Sequence, residues 1–351
     1  MQNRLSDGLI WTIQNSTFVE IIYMKHLTII VPDGENNLSS IVGTYKIFSR
    51  ANEYWSQKEK AKKGLLKIEL AGISKEIGFH GGLFTVKPHT HISSIRKTDL
   101  IIIPSLNHNY YESVKGNQLL IDWVAKQYKQ GAEVASICTG AFMLASSGLL
   151  DGKSCSTHWA VADHFRAMFP NIKLETDKLI TDEHGIYTNG GAFSFLNLVI
   201  YLVEKYYDRQ TAIFCAKVFQ IEIDRNSQSP FSIFTGQKQH DDEMVQQAQT
   251  YIEANLHEKI SVEHLSSRLA VGRRNFDRRF IKATGNTPIE YAQRVRIESA
   301  KKTLEGTRKS INEVMYEVGY SDVKAFREVF RKITGMSPLE YRSKYNKEAV
   351  V

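Results

Sequence analysis

From residue 26 to about 222 the chain alternates short runs of β-branched and aliphatic residues with longer stretches whose apolar positions recur at helical spacing. HLTIIVPDG (26–34) predicts a strand, and Leu38 to Trp55 an amphipathic helix. LKIELAGI (66–73) and TDLIIIPSL (98–106) predict two more strands, the second followed by a helix over Gln118–Gln130. AEVASIC (132–138) is a further strand, with helices directly after Cys138 and around HWAVADHFRAMF (158–169). GIYTN (185–189) is a late strand before a long helical region from Ala192 to Ala216. The run Leu100-Ile-Ile-Ile does not alternate, which marks a strand covered on both faces, as in a parallel sheet between helix layers. The predicted fold class here is an α/β doubly wound sheet of flavodoxin-like type.

After residue 222 the strand signal stops. Residues 223–243, IDRNSQSPFSIFTGQKQHDDE, have the composition of a linker, although Phe231 and Phe234 predict that it packs on a domain. Everything beyond reads as helix, and it contains a repeat: FDRRFIKATGNTPIEY (276–291) and FREVFRKITGMSPLEY (326–341) match at a spacing of 50 residues. In both, two Phe at i and i+4 face one side, Gly stops the helix, and Pro starts the next one. A short helix precedes each copy. Ser261 caps the first, with Leu265 and Leu269 inward and a turn at Val271-Gly272. Ser310 caps the second, with Ile311, Val314 and Val318 inward and a turn at Gly319. Helix, short turn, helix is the helix-turn-helix, whose second helix enters a DNA major groove. The expected organisation is thus 1–23, a leader or extension; 24–222, the α/β domain; 223–243, a linker; and 244–351, an all-α double helix-turn-helix domain.

With Phe276 and Phe280 inward, Arg274 and Arg278 point outward with Asp277 alongside, and Lys324, Glu328 and Arg327 hold the corresponding places in the second unit. Arg274 and Arg278 suit bidentate pairing with guanine, whereas Arg273 and Arg279 flank the row and suit phosphates; Val323 stands at the place of Arg273.

Charge sharpens this. The formal net charge is +7, and from residue 244 onward there are 20 Lys and Arg against 13 Asp and Glu, while the preceding part is balanced at 25 of each. A neutral module joined to a basic one fits double-stranded DNA as partner. The 42% apolar and 24% charged residues are those of a globular chain, and the longest apolar run, Phe195–Val203, is too short for a membrane span and broken by Asn197. Glu20 interrupts STFVEIIYM, so no signal peptide is read, and Met24 reads as a natural start. Three cysteines without a CxxC argue against a disulfide framework or a metal site and fit a reducing cytoplasm. Cys155 and Cys215 read as filler, and Gly81-Gly82 is no dinucleotide motif; no cofactor is implied.

GRRNFDRRFIKATGNTPIEYAQRVRIESAKKTL (272–304) and VGYSDVKAFREVFRKITGMSPLEYR (318–342) resemble the DNA-binding domain of the AraC/XylS family. The resemblance implies seven helices, two helix-turn-helix units joined by a long helix over Ile289–Leu304, and a role in transcription regulation with RNA polymerase as a further candidate partner. ICTGAFMLASSGLLDGKSCSTHW (137–159) and TNGGAFSFLNLVIYLVE (188–204) are similar to the PfpI-like, class I glutamine-amidotransferase-like fold, as found in GlxA-type regulators with an AraC-type domain behind it. That resemblance implies a sensor domain and a homodimer. It also implies a cysteine on a strand-to-helix turn, here Cys138. The superfamily's active members add a His after the Cys and an acid; Thr139 and Ser40 stand at those places, and Pro104-Ser105-Leu106 replaces PGG. A non-catalytic sensor is therefore the expectation. The alternative is a thiol-dependent amidase or glyoxalase-like enzyme using Cys138 and His158, and a third reading is oxidation sensing by Cys138. The expected effector pocket lies at the carboxyl ends of the strands, lined by Asp33, Ser105, Cys138, Thr139, His158 and Gly190, where the helix after Cys138 would offer free N–H groups to a carboxylate or amide oxygen.

Overall fold

In a computed structural model, which describes residues 9–14, 17–22, 24–61, 63–107 and 109–346 with side chains from residue 24 onward, the chain folds as two compact units that meet between Asn226 and Ser227. The stretch expected as a leader falls largely outside the described residues; within it the backbone of Leu9–Gln14 pairs antiparallel with Thr17–Ile22.

The first unit is built on strands β1 (Lys25–Ile30), β2 (Leu66–Gly72), β3 (Thr90–His91), β4 (Leu100–Ile103), β5 (Glu133–Ser136), β6 (Ile180–Glu183) and β7 (Ile186–Asn189). They form one sheet in the order β6-β7-β5-β4-β1-β2-β3, parallel except for the β6–β7 pair. Alternate residues of one strand feed two different cores. Leu100 and Ile102 join a cluster with Ile41, Phe48, Leu198 and Cys215, while Ile101 and Ile103 join one with Leu120, Phe142 and Phe165. Hence helices α1 (Leu38–Lys58), α6 (Phe195–Tyr206) and α7 (Arg209–Phe219) cover one face. Helices α3 (Gln118–Lys129), α4 (Ala141–Ser146) and α5 (Ala162–Met168) cover the other. The doubly wound class follows from this two-sided burial. Besides the short edge strand β3, three elements depart from the pattern reading. The helical region after Ala192 is divided by Asp208, whose carboxylate caps α7 through the Thr211 N–H at 2.8 Å. A short helix α2 (Tyr110–Gly116) precedes α3, and β6 adds an antiparallel edge.

The second unit contains helices α8 (Glu243–Ala254), α9 (Val262–Arg268), α10 (Arg273–Thr284), α11 (Pro288–Gly306), α12 (Ile311–Glu317), α13 (Val323–Thr334) and α14 (Pro338–Tyr345). It has two separate cores. One holds Val245, Leu265, Phe276, Phe280 and Tyr291; the other repeats the plan with Val314, Phe326, Phe330 and Tyr341. Thr287, Ser310 and Ser337 each close a reciprocal capping box, which explains why the helices start there. Residues 223–226 belong to the first unit, and 227–242 pack on the second. No helix among the described residues is long and apolar enough to cross a membrane.

Candidate functional site

Two places deserve description, one in each unit. In the first, the strand order reverses between β1 and β4, the position where open α/β sheets leave a crevice at their carboxyl ends. β5 ends there in a tight turn. Cys138 sits in the left-handed region at φ 54° and is buried at 4% exposure, the geometry of a residue lifted above a sheet on a strand-to-helix elbow. Gly140 is needed two residues on, because a Cβ there would lie 2.6 Å from the Pro104 carbonyl oxygen and 2.9 Å from that of Ile103. The helix after the elbow therefore rides directly on the end of β4.

The structure brings Ser105, Cys138 and Thr139 together. The Ser105 and Thr139 hydroxyls are 2.8 Å apart, Thr139 Oγ1 donates to the Leu106 carbonyl at 2.6 Å, and Thr157 Oγ1 donates to the Cys138 carbonyl at 2.9 Å. Burial pushes the Cys138 thiol up, and hydrogen bonds from Ser105 and Thr139 only partly oppose it. His158, the next residue after Thr157, is half-buried; its Nδ1 accepts the Ala160 N–H at 3.1 Å, and burial pushes its pKa down. An activated thiolate–imidazolium pair needs the opposite shifts. Asp33 lies at the end of β1, where its backbone exchanges hydrogen bonds with the Asn117 amide at 2.8 and 3.0 Å and its Oδ2 accepts from Ser74 Oγ at 2.9 Å. Gly190, after β7, donates its N–H to the Leu179 carbonyl at 2.8 Å.

One expectation is corrected. The turn after Cys138 does not present a set of free N–H groups: Gly140 N–H bonds to Ile137 O at 2.8 Å, and Ala141 N–H is taken by the Cys138 and Thr139 carbonyls. Among the side chains at this end of the sheet, buried oxygens lack partners. Asp33 Oδ1, Asn36 Oδ1 and Asn189 Oδ1 are buried without a hydrogen bond, and so is Ser136 Oγ. Sequence reading missed Tyr110. Its ring stacks on Phe142 at 4.3 Å, and burial first, then the charge of an ionised Cys138, push its hydroxyl up. Ser40, which stands at the place of the superfamily's acid, is fully buried, and its Oγ accepts the Ser105 N–H at 3.2 Å.

In the second unit, α10 and α13 are the second helices of their pairs. Phe276, Phe280, Phe326 and Phe330 are fully buried, whereas Arg273, Arg274, Arg278, Lys324, Arg327 and Glu328 are exposed and Asp277 is partly so. Arg278 reaches only Asn275 on its own helix, at 2.9 Å. Arg273 pairs with Glu263 and approaches Asp277 at 4.0 Å. Two site residues are reassigned. Arg279 makes a bidentate pair with Asp242, the N-cap of α8, at 2.8 and 2.7 Å, so its fork is spent inside the fold rather than on phosphate. Val323 packs against the second core instead of facing outward, because the first turn of α13 turns it toward Phe326 and its neighbours. The two reading helices also begin differently. Asp322 caps α13 through the Ala325 N–H at 2.6 Å, while α10 starts at Gly272 with no side-chain cap.

The two helix pairs meet at a fixed joint. Arg296 of α11 donates to the Leu256 carbonyl at 2.8 Å and to that of Glu258, and lies 5.5 Å from the Tyr320 ring. Beside it, Gly319 (φ 78°) is jammed against the backbone of Leu256 and His257.

The fold and both sites thus define a class: an elbow-cysteine α/β domain followed by a duplicated helix-turn-helix. Comparison with known proteins agrees. Residues 49–205 match the DJ-1/PfpI family and residues 265–344 match a helix-turn-helix domain. The first match falls in the α/β unit and the second in the helical unit. It is 28% identical over 226 residues to the HTH-type transcriptional regulator GbdR of Pseudomonas aeruginosa, covering 63% of this chain and 60% of that one. With the HTH-type transcriptional regulator GlxA of Rhizobium meliloti it shares 24% identity over 216 residues, 59% of this chain and 64% of the relative. The chain thus spans less than two thirds of the length of these relatives. A crystal structure from Vibrio parahaemolyticus described as a transcriptional regulator superposes with a TM-score of 0.50 at 23% identity, over 56% of this chain and 99% of that one, which establishes the α/β fold.

Proposed function

We propose that the chain is a sequence-specific DNA-binding transcriptional regulator whose α/β unit senses a small molecule in the cytoplasm. The observation that carries this is the duplication itself. Two cores of the same plan each present an outward cationic helix, with Arg274 and Arg278 on one and Lys324 and Arg327 on the other. A solvated basic face needs no such repetition of cap, turn and core. Arginine forks on α10 suit guanine edges, and the uncapped start of that helix suits a phosphate. The test is selection from a random duplex library with the full-length protein. Enrichment of one site, bound with steep salt dependence and with base preference relaxed at single positions in Arg274→Ala and Arg278→Ala, is the expected result; no enrichment refutes the proposal.

The α/β unit acts as sensor rather than catalyst in this reading, since burial keeps the Cys138 thiol protonated and no imidazolium is poised to change that. Its unpaired acceptors favour an effector that brings N–H or O–H donors to Asp33 and Asn36. In a thermal-shift panel, amines, amides and polyols should raise the melting temperature, and Asp33→Asn should abolish the shift; a response confined to simple carboxylates overturns this choice of ligand.

A further inference from the structure

The segment that leaves the α/β unit does not hang free. It runs as a strap across all three parts of the helical unit. At its start, Tyr345 of α14 donates its hydroxyl to the Pro230 carbonyl at 2.9 Å. At its far end, Gln249 of α8 donates to the Gln237 carbonyl at 2.9 Å, and the Phe234 ring meets the Tyr291 ring edge-on at 5.3 Å in the first core. Between them α11 supplies a clasp. Glu298 and Lys301, at 8% and 4% exposure, pair at 2.7 Å; Glu298 Oε2 also accepts the Phe234 N–H at 3.1 Å, and Lys301 Nζ donates to the Ser232 carbonyl at 2.6 Å.

A buried ion pair is costly unless hydrogen bonds satisfy the valences that its partner leaves open. Here the strap's own backbone supplies one donor to the carboxylate and one acceptor to the ammonium. Without the strap the two charges would stay on α11 with only each other and, for Lys301, the Tyr341 ring at 5.8 Å. One docked conformation of residues 230–237 is therefore written into the helix that joins the two helix-turn-helix units.

We propose that this strap is a working part of the DNA reader: by binding α14, which shares the second pair's core, at Pro230, the joining helix at Ser232–Phe234, and α8, which shares the first pair's core, at Gln237, it sets the geometry between the two reading helices. Glu298 and Lys301 are positioning residues. Any influence of the α/β unit that travels along the chain has to pass through the strap, so its release alters how strictly the reader measures the distance between its two half-sites. The proposal rests on the DNA-reading function above.

The experiment uses full-length protein and the duplex site that it selects. Affinity is measured on that site and on a derivative with one base pair inserted between the two halves. The wild type should lose at least about tenfold on insertion, because a rigid two-headed reader cannot follow the added rotation and rise. In Glu298→Leu/Lys301→Met, which removes both charges at similar volume, the insertion penalty should fall to less than about threefold with an unchanged circular dichroism spectrum. Phe234→Ala, which leaves the ion pair in place, should shift the penalty in the same direction and serves if the double variant does not fold. A folded double variant, or failing that Phe234→Ala, that keeps the wild-type penalty overturns the proposal, as does a wild type indifferent to the insertion. A wild type that selects no site removes the DNA-reading function itself, and this is seen before any variant is made.

Discussion

Gly319 offers the cleanest quantitative test of how the two helix pairs are held. Of the helical unit's four glycines in the left-handed region, one is Gly236 in the segment before α8, and three follow helices, Gly285 at φ 68°, Gly319 at 78° and Gly335 at 74°. The three that follow helices can be compared directly. Replacement by Ala costs each of them the same conformational strain, about 1–2 kcal/mol, partly offset by the lower entropy of the unfolded Ala chain, for a net cost of about 1 kcal/mol. Their surroundings differ. A Cβ on Gly285 meets nothing within 4 Å, and one on Gly335 lies 3.8 Å from Pro230. On Gly319 it would stand 2.5 Å from the Leu256 carbonyl oxygen and 2.9 Å from the Cα of His257. These are backbone atoms that cannot rotate away, so overpacking adds about 1–3 kcal/mol, giving about 2–4 kcal/mol in all. Native-state amide exchange of the buried phenylalanines in both cores reports opening of the helical unit regardless of the α/β unit. Gly319→Ala should accelerate exchange at Phe276 and Phe326 by roughly thirtyfold or more, against about fivefold for Gly285→Ala and Gly335→Ala. If Gly319→Ala exchanges no faster than Gly285→Ala, the joint between the helix pairs is not packed as described.

Neighbouring arginines should separate cleanly. Arg278→Ala should leave the melting temperature unchanged and relax base preference at one position, by about 1–3 kcal/mol, whereas Arg279→Ala should lower the melting temperature and leave the salt slope of DNA binding unaltered; a slope reduced by about 1 in Arg279→Ala contradicts its internal pairing. The Arg279 hydrogen bonds hold the Asp242 carboxyl below its ordinary value, so the stability they contribute is present at neutral pH and lost as pH falls through the acidic range below about 4. The stability advantage of wild type over Asp242→Asn should shrink across that range in urea titrations at successive pH values, and an advantage that grows on acidification refutes the assignment. All three cysteines are buried and pushed up, Cys155 to about 12 and Cys215 to about 11, so native protein at neutral pH should take up iodoacetamide orders of magnitude more slowly than a free thiol. Rapid labelling at Cys138 would restore the catalytic reading.

Much of this molecule was legible in the sequence because hydrophobic faces are local. Phe276 and Phe280 lie one helical turn apart, so their shared burial, and the outward direction of Arg274 and Arg278, follow from spacing alone. The same holds for strand Leu100–Ile103 between two helix layers, and for the chain order that puts Cys138 on a strand-to-helix turn. Partners of polar groups are not local. Arg279 looked equivalent to Arg273 until the fold brought Asp242, 37 residues earlier, to its guanidinium. Asn117 reached Asp33 across 84 residues, and the strap carbonyl of Ser232 reached Lys301 across 69. The turn after Cys138 used the N–H groups of Gly140 and Ala141 internally, and several buried side-chain oxygens nearby have no hydrogen bond. Sequence by itself determined the two domain types, the duplication and the faces that are buried, since each depends on periodicity within a few residues. Only the tertiary structure decided which charges are paired, which buried oxygens lack a hydrogen bond and how the two helix pairs are tied together, because hydrogen bonds are satisfied at about 3 Å in space by groups that the chain holds tens of residues apart.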